Sequence, residues 1–205
     1  MKRTIGGGLL ILVLSGVARV GVASLLPSAS DGLRFGVGIW AASLLGGALL
    51  FFIAPRDALG FTRPAPSALL IALGLSVGLT ALFDGARWLT SGQLIPVEWK
   101  TMMNAPGALV LALGVIVAAP LFEEAFFRGF LQAGLTPRLG ATATIALSSM
   151  LFMLAHAPSD AIGALDPLLS GIALGLLRHR TGSLVPGIAF HALGNTQAVA
   201  LALTL

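Results

Sequence analysis

Residues 119–129 read Ala119-Pro120-Leu121-Phe122-Glu123-Glu124-Ala125-Phe126-Phe127-Arg128-Gly129, inside an apolar run that begins near Gly107 and lasts to about Leu135. An ionised side chain at the centre of a membrane helix costs roughly 2.5–3.5 kcal/mol on insertion scales. The chain has only 8 acidic residues, and two of them stand side by side where they are most costly. Such a placement implies a use.

Outward from this stretch the chain stays apolar. It is 57% hydrophobic and 10% charged, against about 25% charged in soluble domains, which places it in the membrane class. No polar block is long enough to fold separately, so residues 1–205 read as a single membrane domain. Residues 1–106 supply N-terminal helices and a polar connector, and 107–205 the motif-bearing core. The fold class expected is all-α: a polytopic helical bundle of about seven transmembrane helices, each a stretch of roughly 18 or more largely apolar residues. With no cysteine, disulfides, thiol nucleophiles and Cys-ligated metals are excluded.

The first span runs from about Ile5 to Leu26, behind Lys2 and Arg3. Ser28-Ala29-Ser30 resembles a small-residue cleavage site, but the apolar run exceeds the roughly 7–15 residues of a signal peptide's apolar region, so a retained anchor is expected. Arg19 interrupts this span and either snorkels or faces a partner. The second span, Phe35 to Ala54, ends at Pro55-Arg56-Asp57. A rigid connector, Arg63-Pro64-Ala65-Pro66, precedes a third from Ser67 to Leu89. Thr90 to Pro106 is the most polar segment, a loop or interfacial helix, with Trp88 and Trp99 suited to the membrane–water boundary. The fourth span, Gly107 to Leu135, turns at Pro137-Arg138-Leu139-Gly140; the fifth runs from Ala141 to His156. The sixth, about Leu165 to Leu177, is short and precedes Arg178-His179-Arg180, and the seventh runs from Leu184 to Leu205.

Basic residues assign an orientation. With the N-terminus cytoplasmic, Lys2, Arg3, Arg56, Arg63, Arg128, Arg138, Arg178 and Arg180 fall on or near the inner side, and Arg34, Arg87 and Lys100 outside. That follows the positive-inside rule. It also accounts for the net charge of +4 with no nucleic-acid partner.

Within the quoted stretch, Glu124 and Arg128 are i and i+4, share a helix face and can pair. Glu123 lies about 100° around the helix, less well placed for the same arginine and free to point into a cavity. Pro120 removes a backbone donor, and a kink there would open room for water. A buried ion pair locking helices together explains Glu124 and Arg128, but leaves the second carboxylate unexplained. His156 follows Phe152 by four residues on one face, and taken alone reads as a structural hydrogen bonder. His191 and Asn195 form another i, i+4 pair, suited either to interhelical adhesion or to binding a developing oxyanion. A carboxylate, two histidines and an amide from three spans point to one convergent polar centre.

Glu-Glu-x-x-x-Arg at Glu123, Glu124 and Arg128, Phe-x-x-x-His at Phe152 and His156, and His-x-x-x-Asn at His191 and Asn195 together resemble the CPBP family. These are the CAAX prenyl endopeptidases and bacteriocin-processing, Abi-type intramembrane proteases. The match covers roughly residues 107–200, with the motifs intact and in order; the first three spans match only in hydrophobicity. Members often have an eighth span. The resemblance implies a metal-independent, glutamate-type intramembrane protease of a bacterial or archaeal inner membrane, with no cofactor and no metal. Glu123 would activate a water, His156 would orient it, and His191 with Asn195 would stabilise the oxyanion. Glu124 and Arg128 would be the supporting pair, with Phe152 packed beside the site. The partners implied are membrane lipid and a peptide or membrane-protein substrate, whether a prenylated C-terminal peptide, a bacteriocin leader or a C-terminal sorting tail.

Three other readings compete with this one. A zinc protease would use the two histidines and a carboxylate, but the helical His-Glu-x-x-His spacing is absent. Gly74-Leu75-Ser76-Val77-Gly78 matches G-x-S-x-G formally, yet that motif works as a strand-to-helix elbow and here falls within a helical span. The third is a non-catalytic immunity, scaffold or transport protein that uses the polar centre for binding.

Overall fold

The computed structural model describes residues 2–54 and 59–205, with side chains from Ile5 onward. All regular structure among the described residues is helical. Helix α1 spans Lys2–Ser24 and α2 Asp31–Ile53. Ser30, part of the small-residue stretch, caps α2 by accepting from the Leu33 N–H at 3.2 Å and donates to the Pro106 carbonyl. The two helices pack closely: a Cβ at Gly38 would lie 3.0 Å from the Arg19 carbonyl. Arg19 faces a partner within the protein, its guanidinium 4.4 Å above the Phe35 ring. Pro55-Arg56-Asp57, expected to end the second span, lies outside the described residues.

Beyond it the chain is tied to the far end of the molecule. The Gly60 carbonyl accepts from Leu184 N–H at 2.9 Å, and the Thr62 carbonyl from Ser183 Oγ at 2.6 Å. Helix α3, Pro66–Ser91, begins with proline, whose missing N–H would be unsatisfied in a first turn anyway. It ends at Gly92 in the left-handed conformation, φ 72°. The polar segment folds into the short α4, Val97–Met103. Trp88 is exposed, as expected for a boundary residue, whereas Trp99 turns inward and donates to the Ala198 carbonyl at 3.3 Å.

Residues Ala108–Ala155 form one helical run of 48 residues, about 72 Å at helical rise and more than twice a hydrocarbon core of about 30 Å. It must turn, and it does so at Gly140 (φ 74°, ψ 165°), where the sequence expects a turn. The halves are α5, residues 108–139, and α6, residues 141–155. Helix α7 spans Ala161–Thr181 and α8 Val185–Thr204. Helix α7 is longer than the short sixth span expected. Asp160 caps its start, accepting from Gly163 N–H at 2.7 Å, and Gly182, φ 65°, ends it after Arg178-His179-Arg180.

The bundle is apolar outside and polar at its centre. Phe52, Leu70 and Leu89 stand exposed, while Glu124, Arg128, Thr144, Ser148 and Ser149 are buried. Lipid as the solvent explains that inversion, since polar side chains in a membrane face the bundle interior. Five helical runs among the described residues are long and apolar enough to cross a membrane: Ile5–Ser24, Asp31–Ile53, Pro66–Ser91, Ala108–Ala155 and Ala161–Thr181. The expected seventh span is the helix α8, kept out of that set by polar residues such as His191, Asn195 and Gln197. The protein is an integral membrane protein with a helical bundle fold.

Candidate active site

Helix α5 carries the two glutamates between two π-helical stretches, Gly114–Ala118 and Ala125–Gln132. The first has a cause in the sequence. Ala119 N–H bonds the Gly114 carbonyl, an i→i−5 bond. In that register the next donor would be the nitrogen of Pro120, which has no hydrogen. The Val115 carbonyl is therefore left without a helical partner, and a buried carbonyl must find one. It accepts from Asn195 Nδ2 of α8 at 2.5 Å. An amide nitrogen carries two hydrogens, so this bond holds Asn195 in place and leaves one donor to use.

The second π stretch is buried along all its length and faces α7. Arg128 Nη2 donates to the Gly171 carbonyl at 3.2 Å, and Gln132 Nε2 to the Gly175 carbonyl at 3.0 Å. The spacing of four residues on α5 matches that on α7. Both acceptors sit in close helix contacts that favour glycine: a Cβ at Gly171 would lie 3.0 Å from Ser149 Cβ and one at Gly175 2.9 Å from Ile145 Cγ2. Arg128 is fully buried and stacks its guanidinium 4.4 Å above the Phe152 ring. It thus belongs to the core and drops out of the orientation count.

The neighbouring carboxylates have different surroundings. Glu124 Oε1 accepts from Arg128 Nη1 at 2.9 Å and stands 3.3 Å from His191 Nδ1. Glu123 Oε2 is buried, has no hydrogen-bond partner and lies 3.9 Å from His191 Nε2. His191 thus has one carboxylate at each ring nitrogen. With a proton on both nitrogens, it donates to Glu124 through Nδ1 and keeps Nε2–H for whatever lies beside Glu123.

Phe152, buried near the end of α6, joins the remaining groups. Its ring centroid is 4.5 Å from that of His156 and 5.7 Å from that of His191, edge to face in the second case. His156 Nδ1 donates to the Phe152 carbonyl at 2.8 Å. A neutral imidazole so fixed keeps the lone pair on Nε2, able to accept a proton. His156 is followed by Ala157 at φ 47°, a left-handed conformation that costs a non-glycine residue about 1–2 kcal/mol.

His156, His191 and Asn195 line one cavity of about 190 Å³ between α3, α6, α7 and α8. Glu123 meets this group through His191. The opposite wall holds residues the sequence reading passed over: Asp84 of α3 and Asp166 of α7, the latter accepting from Ser170 Oγ at 3.2 Å. The cost that singles out Glu123 applies equally to carboxylates inside those two spans and would have found them. Ser76 sits within α3 and donates to the Phe190 carbonyl at 2.8 Å, a helix–helix contact well away from any strand-to-helix turn. Among the described residues, no group of three or more His, Asp and Glu side chains is arranged to hold a metal ion.

Residues 105–197 match the family model described as type II CAAX prenyl endopeptidase Rce1-like. No curated protein and no solved structure matches the chain.

Proposed function

From the match of residues 105–197 to the Rce1-like type II CAAX prenyl endopeptidase model, we propose that the chain hydrolyses a peptide bond within the membrane by a glutamate-activated water. That match supports a CAAX-type intramembrane protease; the division of labour below is our reading of the geometry. Glu123 takes a proton from water, and His156, through Nε2, holds that water against the carboxylate. The hydroxide adds to the substrate carbonyl carbon. The resulting oxyanion accepts from the second Nδ2 hydrogen of Asn195 and from Nε2–H of His191. Glu123 then passes its proton to the departing amine as the C–N bond breaks. Glu124 and Arg128 position His191 and stay out of the proton transfers.

The observation that carries this reading is the asymmetry of the acidic pair. Glu124 is committed to Arg128 and stands beside His191 Nδ1, whereas no donor bonds the buried Oε2 of Glu123, which faces His191 Nε2 at 3.9 Å.

The substrate class is a peptide, with a farnesylated C-terminal peptide as the first probe, then leader peptides and sorting tails. Purified wild-type protein should cleave at least one of these. Glu123→Ala and His156→Ala should each lose about 10²–10⁴-fold in turnover, with thermal stability near wild type. Wild-type cleavage rates in both variants would remove glutamate-activated water from consideration. A wild type that cleaves no peptide would favour a binding role for the polar centre.

A further inference from the structure

At the end of the bundle where α1 finishes and α2 begins, those two helices and α4 enclose a second cleft of about 680 Å³. It is separate from the candidate active site, and no lining residue is shared. Two cations line it. Arg19 lies five residues before the end of α1, about 7.5 Å below it at helical rise. It rests on Phe35 and forms no ion pair among the described residues. Arg34, in the first turn of α2, is 3.7 Å from Asp31, whose side chain is 86% exposed, so that pair neutralises Arg34 weakly. Two anions, Asp31 and Glu98, line the same cleft, and Val20, Phe35 and Met102 give it an apolar side. Four charges at the end of an apolar hairpin, beside a short helix of the connector, stand at head-group level.

We propose that this cleft seats one phospholipid whose head group carries both a phosphate and a primary ammonium, as in phosphatidylethanolamine. The phosphate binds Arg19 and Arg34, the ammonium binds Asp31 and Glu98, and the upper acyl chain lies along Val20 and Phe35. The lining charges cancel, two against two. A head group with a phosphate and no cation would meet two uncompensated carboxylates. A trimethylammonium head group would bring the charge but no N–H donors. The volume falls within the roughly 300–1,000 Å³ of small-molecule sites.

The test is native mass spectrometry of the full chain in detergent, titrated with phosphatidylethanolamine, phosphatidylglycerol or phosphatidylcholine of identical acyl chains. Wild type should retain one phosphatidylethanolamine more tightly than either other lipid. Arg19→Gln should weaken it roughly fivefold, the equivalent of about 1 kcal/mol for one arginine near the head groups. The double variant Asp31→Asn with Glu98→Gln changes two exposed side chains and should fold normally. It should reverse the preference in favour of phosphatidylglycerol. Equal retention of all three lipids by wild type, or an unchanged order of preference in the double variant, would overturn the proposal whatever Arg19→Gln does to folding.

Discussion

Glu124 and Arg128 form a fully buried ion pair at 2.9 Å, so each carboxylate or guanidinium charge depends on the other. Removing one partner of such a pair costs about 3–5 kcal/mol, whereas replacing both with apolar groups of similar volume is often neutral. Arg128→Met alone should therefore destabilise the protein by about that amount in chemical or thermal unfolding. Arg128→Met combined with Glu124→Leu should recover most of the loss in stability and still lack activity, because His191 then has no carboxylate at Nδ1. At this scale the sequence was informative for a physical reason: a polar side chain in an apolar run has to be accounted for. The i, i+4 spacing of Glu124 and Arg128 gave their contact, and the cost of polar groups in apolar spans singled out Glu123, His156, His191 and Asn195 as candidates. Asp84 and Asp166 carry the same cost inside their spans, but neither has a second carboxylate, a histidine or an amide at helical spacing to mark a site.

At the scale of elements, Pro120 explains more than any helix propensity. Proline marks where α5 departs from regular geometry, but hydrophobic periodicity cannot show that the helix responds with an i→i+5 register, nor that Asn195 supplies the donor that Val115 lacks. Those facts depend on a helix 80 residues away. Pro120→Ala restores a backbone N–H. It should leave stability unchanged or raise it, while lowering kcat as Asn195 loses its anchor; unfolding midpoints and peptide cleavage measured together separate the two effects. Gly140 is a second decisive position. A Cβ there meets nothing within 4 Å, so any cost of Gly140→Ala comes from backbone conformation alone. At φ 74°, ψ 165° that cost is about 1–3 kcal/mol, readable as a lowered unfolding midpoint.

For the whole molecule, the spans were legible from apolar length, and the turn at Gly140 from its flanking Pro137 and Arg138. The shortfall lay in helix ends, as at α7, where Asp160 and Gly182 set boundaries that hydropathy does not register. The N-terminal helices are also more than a membrane anchor for the motif-bearing core. A Cβ at Gly36 of α2 would lie 2.7 Å from the Leu111 nitrogen and 2.8 Å from its Cα, both backbone atoms of α5. No rotamer relieves such a clash. Gly36→Leu should destabilise by at least the about 1–3 kcal/mol of an overpacked core. It should also impair cleavage although it is remote from Glu123, as an activity assay on the fraction still folded would reveal.

The π-helical turn at Gly114–Ala118 has an implication for how this chain tolerates length changes. A turn closed by an i→i+5 bond holds one residue more than a turn closed by i→i+4, so α5 carries a spare position upstream of its acidic pair. Excising a single amino acid there lets the helix shorten without spinning Glu123 and Glu124 toward lipid, whereas the same excision in 119–122 would swing both by about 100°. Single-residue losses in this helix should accordingly be survivable within its π-helical turns and ruinous in the α-helical segment 119–124 between them.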